Sequence, residues 1–126
     1  MKPGRVFRAA AAAMCGLFLL SVAVQWNDPD PWLWMPIYGL AALLAGSGAG
    51  GRLPLVPNAA ALALYVVLFA CWAPSLVAAR HQAFESWQML APEDEAPREA
   101  AGLALCALWS AVQTVMAATR RTRAPA

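Results

Sequence analysis

At 126 residues, with 61% hydrophobic and only 13% charged side chains, the chain carries more apolar surface than one small soluble core can hide, and the excess requires lipid. A net charge of +2, with its cations at the chain ends and in one short loop, excludes a basic stripe for nucleic acid. Cys15, Cys71 and Cys106 each sit in an apolar run, with no CxxC and no histidine at ligand spacing, so they read as small apolar fillers and no cofactor is expected.

The first apolar run covers residues 6–26, preceded by Lys2, Arg5 and Arg8. About 20 residues at about 1.5 Å rise cross a hydrocarbon core of about 30 Å. A cleaved leader would need a shorter core and a small-x-small site, whereas this run continues to a bulky Trp26. Gln25-Trp26-Asn27-Asp28-Pro29-Asp30-Pro31 then reads as a turn, because its two prolines fix φ and remove donors. Asp30 is placed to cap a second span at 32–49 with Pro31 in its first turn, and Pro36 tilts that helix without breaking it. The stretch from Gly46 to Arg52 is glycine-rich and reads as a stop, followed by Pro54 and Pro57. Asn58 is the expected N-cap of a third span at 59–79, kinked where Pro74 frees the carbonyl of Ala70. The outer loops are 27–31 and 80–99, the second holding the acidic, proline-bounded Glu93-Asp94-Glu95, most simply a solvated loop. A fourth span at 100–119 ends in Arg120, Arg121 and Arg123.

The fold class is therefore an all-α, four-transmembrane-helix bundle forming a single membrane domain over residues 1–126. With the N-terminus, second loop and C-terminus on one side, seven of nine cations collect there and every acid lies opposite, which makes both termini cytoplasmic. Trp26, Trp32, Trp34, Tyr38, Trp72 and Trp87 fall near the outer boundary, as an aromatic belt would. Abundant alanine and arginine are the usual translation of a GC-rich bacterial genome, which points to a bacterial inner membrane. On the fourth span Gly102, Cys106, Ser110 and Thr114 recur every four residues as a small-residue packing face, either within the chain or between subunits. Ala12 and Gly16 offer the same spacing on the first.

The Gln25-Trp26-Asn27-Asp28-Pro29-Asp30 motif, with Trp34 and Tyr38 following, resembles the transmembrane protein 220 family. Glu85-Ser86-Trp87 and the run from Arg98 to Leu103 look like that family's outer loop and the opening of its last span. The resemblance implies this four-span layout and carries no activity with it.

The polar residues at the outer boundary have a local use, in which Asn27 and Asp28 accept turn amides and Asp30 caps a helix. Their functional use is a cluster of Gln25, Asn27, Asp28, Asp30, His81, Glu85, Arg98 and Glu99. Such a cluster could hold a hard cation on oxygen ligands, or a cationic molecule against the tryptophans. Which metal, if any, stays open. His81, the only histidine, reads first as a solvated residue, Glu99 suits the start of the last helix, and Arg98 is placed to pair with Asp28 or Asp30. No nucleophile elbow, phosphate-binding glycine loop or HExxH is present, and no ionisable side chain falls mid-span, so neither catalysis nor proton pumping is expected. The leading expectation is a structural or accessory membrane protein, partnered by the bilayer and by a second copy or another membrane protein. The alternatives are the outward-facing cation site and, third, an interfacial lipid-modifying enzyme.

Overall fold

A computed structural model describes residues 3–27, 29–77 and 95–123. Their elements are α1 (Arg5–Val24) with a 3-10 turn at Gln25–Asn27, α2 (Pro31–Ala49), α3 (Leu55–Trp72), the single turn α4 (Pro74–Val77) and α5 (Glu95–Arg123). No strand occurs among the described residues, and four helices are long and apolar enough to cross a membrane. At 29 residues α5 would extend about 43 Å, longer than a hydrocarbon core, so its charged ends clear the apolar layer.

The second span ends where expected, whereas both ends of the third differ from the sequence reading, each for a backbone reason. Within the glycine-rich stretch α2 runs through Gly46 and Gly48 to Ala49, the expected end of the span. Gly48 serves packing, since a Cβ there would sit only 2.5 Å from Gln113 Oε1 of α5, whereas one at Gly46 would make an ordinary 3.4 Å contact with Cys15 Sγ of α1. The reversal falls on Gly50 and Gly51, where Gly51 takes φ 89°, a conformation costly for a residue with Cβ. Asn58 is not an N-cap. The helix starts three residues earlier, at Leu55, because Pro57 falls within the first turn, where its missing N–H is no loss, and Asn58 Nδ2 donates back to Pro54 O at 2.8 Å. Pro74 ends α3 instead of kinking it. Trp72 is the last α3 residue, and after Ala73 the chain restarts as α4 with Pro74 at its head.

Other expectations hold locally. Pro36 lies inside an unbroken α2, and Asp30 takes the N-cap position with Pro31 following. Asp30 caps only through its backbone, its carbonyl receiving Leu33 N at 3.1 Å and Trp34 N at 3.3 Å, with no side-chain capping bond.

The backbones approach most closely within two pairs, α1 on α2 and α3 on α5. A wider seam between the pairs is filled by large side chains. Trp34, Phe18, Tyr65 and Leu103 are fully buried there or beside it, with Cys106 among them. The tryptophans expected as a belt divide accordingly: Trp26 and Trp32 are 75% and 72% exposed, as interfacial anchors are, whereas Trp34 is 1% exposed and belongs to the core.

Candidate functional site

Near the arginine-bearing end of α5, Gln113 is fully buried and joins three helices. Its Nε2 donates to Leu44 O of α2 at 2.9 Å and to Asn58 Oδ1 of α3 at 2.8 Å. Its Oε1 accepts the Trp109 indole N–H, one helical turn earlier, at 2.9 Å. Asn58, also fully buried, passes the chain on to Pro54 O. Gln113 is the only amide side chain in the last span, and in an apolar layer such a group must find internal partners. That signal was present in the sequence, although no spacing rule names its partners. Trp109 also stacks on Phe7 of α1, with ring centroids 5.8 Å apart, so the hub touches all four long helices.

The seam is stitched further along. Tyr65 of α3 donates its hydroxyl to Ile37 O of α2 at 2.7 Å, inside the fully buried layer. Pro36 lies next to that carbonyl in sequence. Tyr38 of α2 lies over Gly102 of α5, where any Cβ would overlap the phenol oxygen. At the far end Trp34 meets Trp72 edge-on, with centroids 5.6 Å apart, and the Trp72 indole N–H donates to Glu99 Oε2 at 2.9 Å. Every buried side-chain nitrogen and oxygen among the described residues has a hydrogen-bond partner. The interior is thus committed to holding helices together.

The sequence-derived cluster is gathered only in part. Gln25 is half-buried in the 3-10 turn, while Asn27 and Asp30 are exposed. Arg98 and Glu99 lie half-buried on α5. Because that helix begins at Glu95, Glu99 sits a turn inside it and serves Trp72 rather than the helix start. Asp28, His81 and Glu85 lie outside the described residues, as does any Arg98–Asp28 pair. Among the described residues no group of three His, Cys, Asp or Glu side chains is placed to hold a metal.

The small-residue face of α5 turns inward. Gly102 faces Tyr38, and Cys106 and Ser110 are buried. Thr114 is half-buried, its hydroxyl donating to Ser110 O at 2.7 Å. On α1 the pattern is reversed: Ala12 and Gly16 are exposed, and a Cβ at Gly16 would meet nothing within 4 Å.

A family model described as "Transmembrane family 220, helix" matches residues 17–115, well over half of the chain. No solved structure matches.

Proposed function

The chain belongs to transmembrane family 220 and is an integral membrane protein; from that premise we propose that it works as a non-catalytic structural or accessory component, associating with a second copy or another membrane protein. The observation that carries this reading is the division of the two small-residue faces. The α5 face is used up inside the bundle, while Ala12 and Gly16 on α1 are exposed at the four-residue spacing that lets a neighbouring helix approach closely. Consumption of the interior polar groups by helix–helix bonds supports it, since a protein with a sealed interior acts through its surface.

Crosslinking and native mass measurement in mild detergent test the association. A complex that Gly16→Leu and Ala12→Leu disrupt, with helical content unchanged, is the expected result. A monomer without co-purifying protein refutes the reading.

We place both termini in the cytoplasm of a bacterial cell, with the bundle in the inner membrane, on the strength of the arginine bias. A reporter at Ala126 active only in the periplasm would invert that map. The outward-facing cation site is a second reading, favoured by one contact: a Glu99 carboxylate anchored on the indole of Trp72, whose ring meets Trp34 edge-on. Adding divalent cations or a quaternary ammonium compound would raise the melting temperature if it is correct. No shift with either would remove it.

A further inference from the structure

At the end of the bundle opposite Glu99, the α2–α3 loop and the last turns of α5 enclose an open groove of about 710 Å³. Arg52, Arg120 and Arg121 line it together with Leu53, Leu55 and Ala117, and no acid is among its lining within the described residues. The loop that carries Arg52 is built rather than loose. Gly51 supplies the positive φ that turns the chain, Arg52 N donates to Ser47 O at 2.8 Å, and Ser47 Oγ donates to Arg52 O at 3.1 Å. Arg8, a further cation at this end, has a separate task. Its Nε donates to Ala49 O at 3.0 Å, closing the C-terminus of α2 where the helix dipole favours a cation.

The guanidinium groups of Arg52 and Arg121 on one groove create a local demand for an anion. Their planar forks match phosphate oxygens in pairs. The apolar half of the lining narrows the choice. A free ion has no use for Leu53 and Leu55, whereas a phospholipid presents a phosphate and, directly below it, glycerol and acyl carbons. The groove also lies where the apolar part of α5 gives way to its basic end, the depth at which headgroups sit.

We propose that this groove binds the headgroup of an anionic phospholipid, with Arg52 and Arg121 on the phosphate and Leu53 and Leu55 against the first acyl carbons. The site is independent of the association surface on α1 and of the orientation of the chain. A bound lipid would clip the α2–α3 loop to the end of α5, closing the same end of the bundle that Gln113 ties from within.

The test uses the full chain in a neutral maltoside detergent, titrated with dioleoylphosphatidylglycerol, dioleoylphosphatidylcholine or inorganic phosphate, and read by native mass spectrometry and melting temperature. Phosphatidylglycerol should be retained and should raise the melting temperature by about 5 °C or more, with little effect of phosphatidylcholine or of millimolar phosphate. Arg52→Gln with Arg121→Gln should weaken phosphatidylglycerol binding by about 30-fold, from roughly tenfold or less per arginine, at unchanged helical content. Arg52→Lys with Arg121→Lys should retain most of the binding. Equal binding of the two lipids, or undiminished phosphatidylglycerol binding by the glutamine variant, overturns the proposal. Equal stabilisation by inorganic phosphate assigns the groove to free anions and overturns the lipid. If the double glutamine variant does not fold, Arg52→Gln alone decides, since its side chain is exposed.

Discussion

Replacing Gln113 by leucine removes the hub while nearly keeping its volume, and the expected cost follows from the bonds it breaks. Asn58 Oδ1 and the Trp109 N–H lose their partner inside the apolar layer, whereas Leu44 O remains a carbonyl in the body of α2 with its helical bond. Hydrogen bonds between membrane helices are worth on average about 0.6 and at most about 1.7 kcal/mol, and an orphaned buried group costs about 1–3 kcal/mol. Two orphans therefore predict a loss of about 2 kcal/mol for Gln113→Leu. Asn58→Leu orphans one Gln113 N–H and the extra lone pair of Pro54 O, for about 1 kcal/mol. In the double variant the Asn58–Gln113 pair is gone from both sides, so the combined loss should fall short of the sum by about 1 kcal/mol. Unfolding in mixed micelles, followed by circular dichroism at 222 nm so that tryptophan changes do not intrude, measures all four corners of the cycle. Strict additivity, with a coupling below about 0.3 kcal/mol, would show that the two side chains do not share a bond and would refute the hub.

Gly48→Ala should destabilise by about 1–3 kcal/mol, because its Cβ would press on a Gln113 that three bonds hold in place, while Gly39→Ala, with nothing within 4 Å, should be neutral or slightly stabilising in the same unfolding assay. Gly102→Ala should cost a similar 1–3 kcal/mol, about the usual range for overpacking, and Tyr38→Phe in the same chain should recover part of it by removing the overlapped oxygen. Trp72→Phe keeps an aromatic ring against Trp34 but loses the bond to Glu99, so a loss of about 1 kcal/mol is expected, and Glu99→Gln, which can still accept, should cost less.

The four spans were legible because they rest on local chemistry. A continuous apolar run of bilayer length has few other stable fates in water or lipid, and prolines and glycines mark where such runs end. The errors fall where a local rule had two readings. The glycine-rich stop did end the second span at Ala49, but Gly48 within it also creates a hollow for Gln113, a use that only the neighbour reveals. Asn58 looked like a cap for the same kind of reason. Its side chain does bond to the backbone, but in the direction and register that Pro57 inside the first turn imposes.

What the sequence alone determined is the number of membrane spans, their approximate ends and the sorting of arginines from acids, all properties of single segments or of charge order along the chain. Tertiary structure decided which surfaces face each other. It turned the small face of α5 inward and that of α1 outward, took Trp34 from the expected belt into the core, and brought Gln113 to Asn58 across 55 positions of sequence. In a bilayer every face of a helix is apolar, so hydropathy cannot say which face meets protein and which meets lipid. Side-chain shape and the need of each polar atom for a partner make that choice, and both are settled only when the helices are side by side.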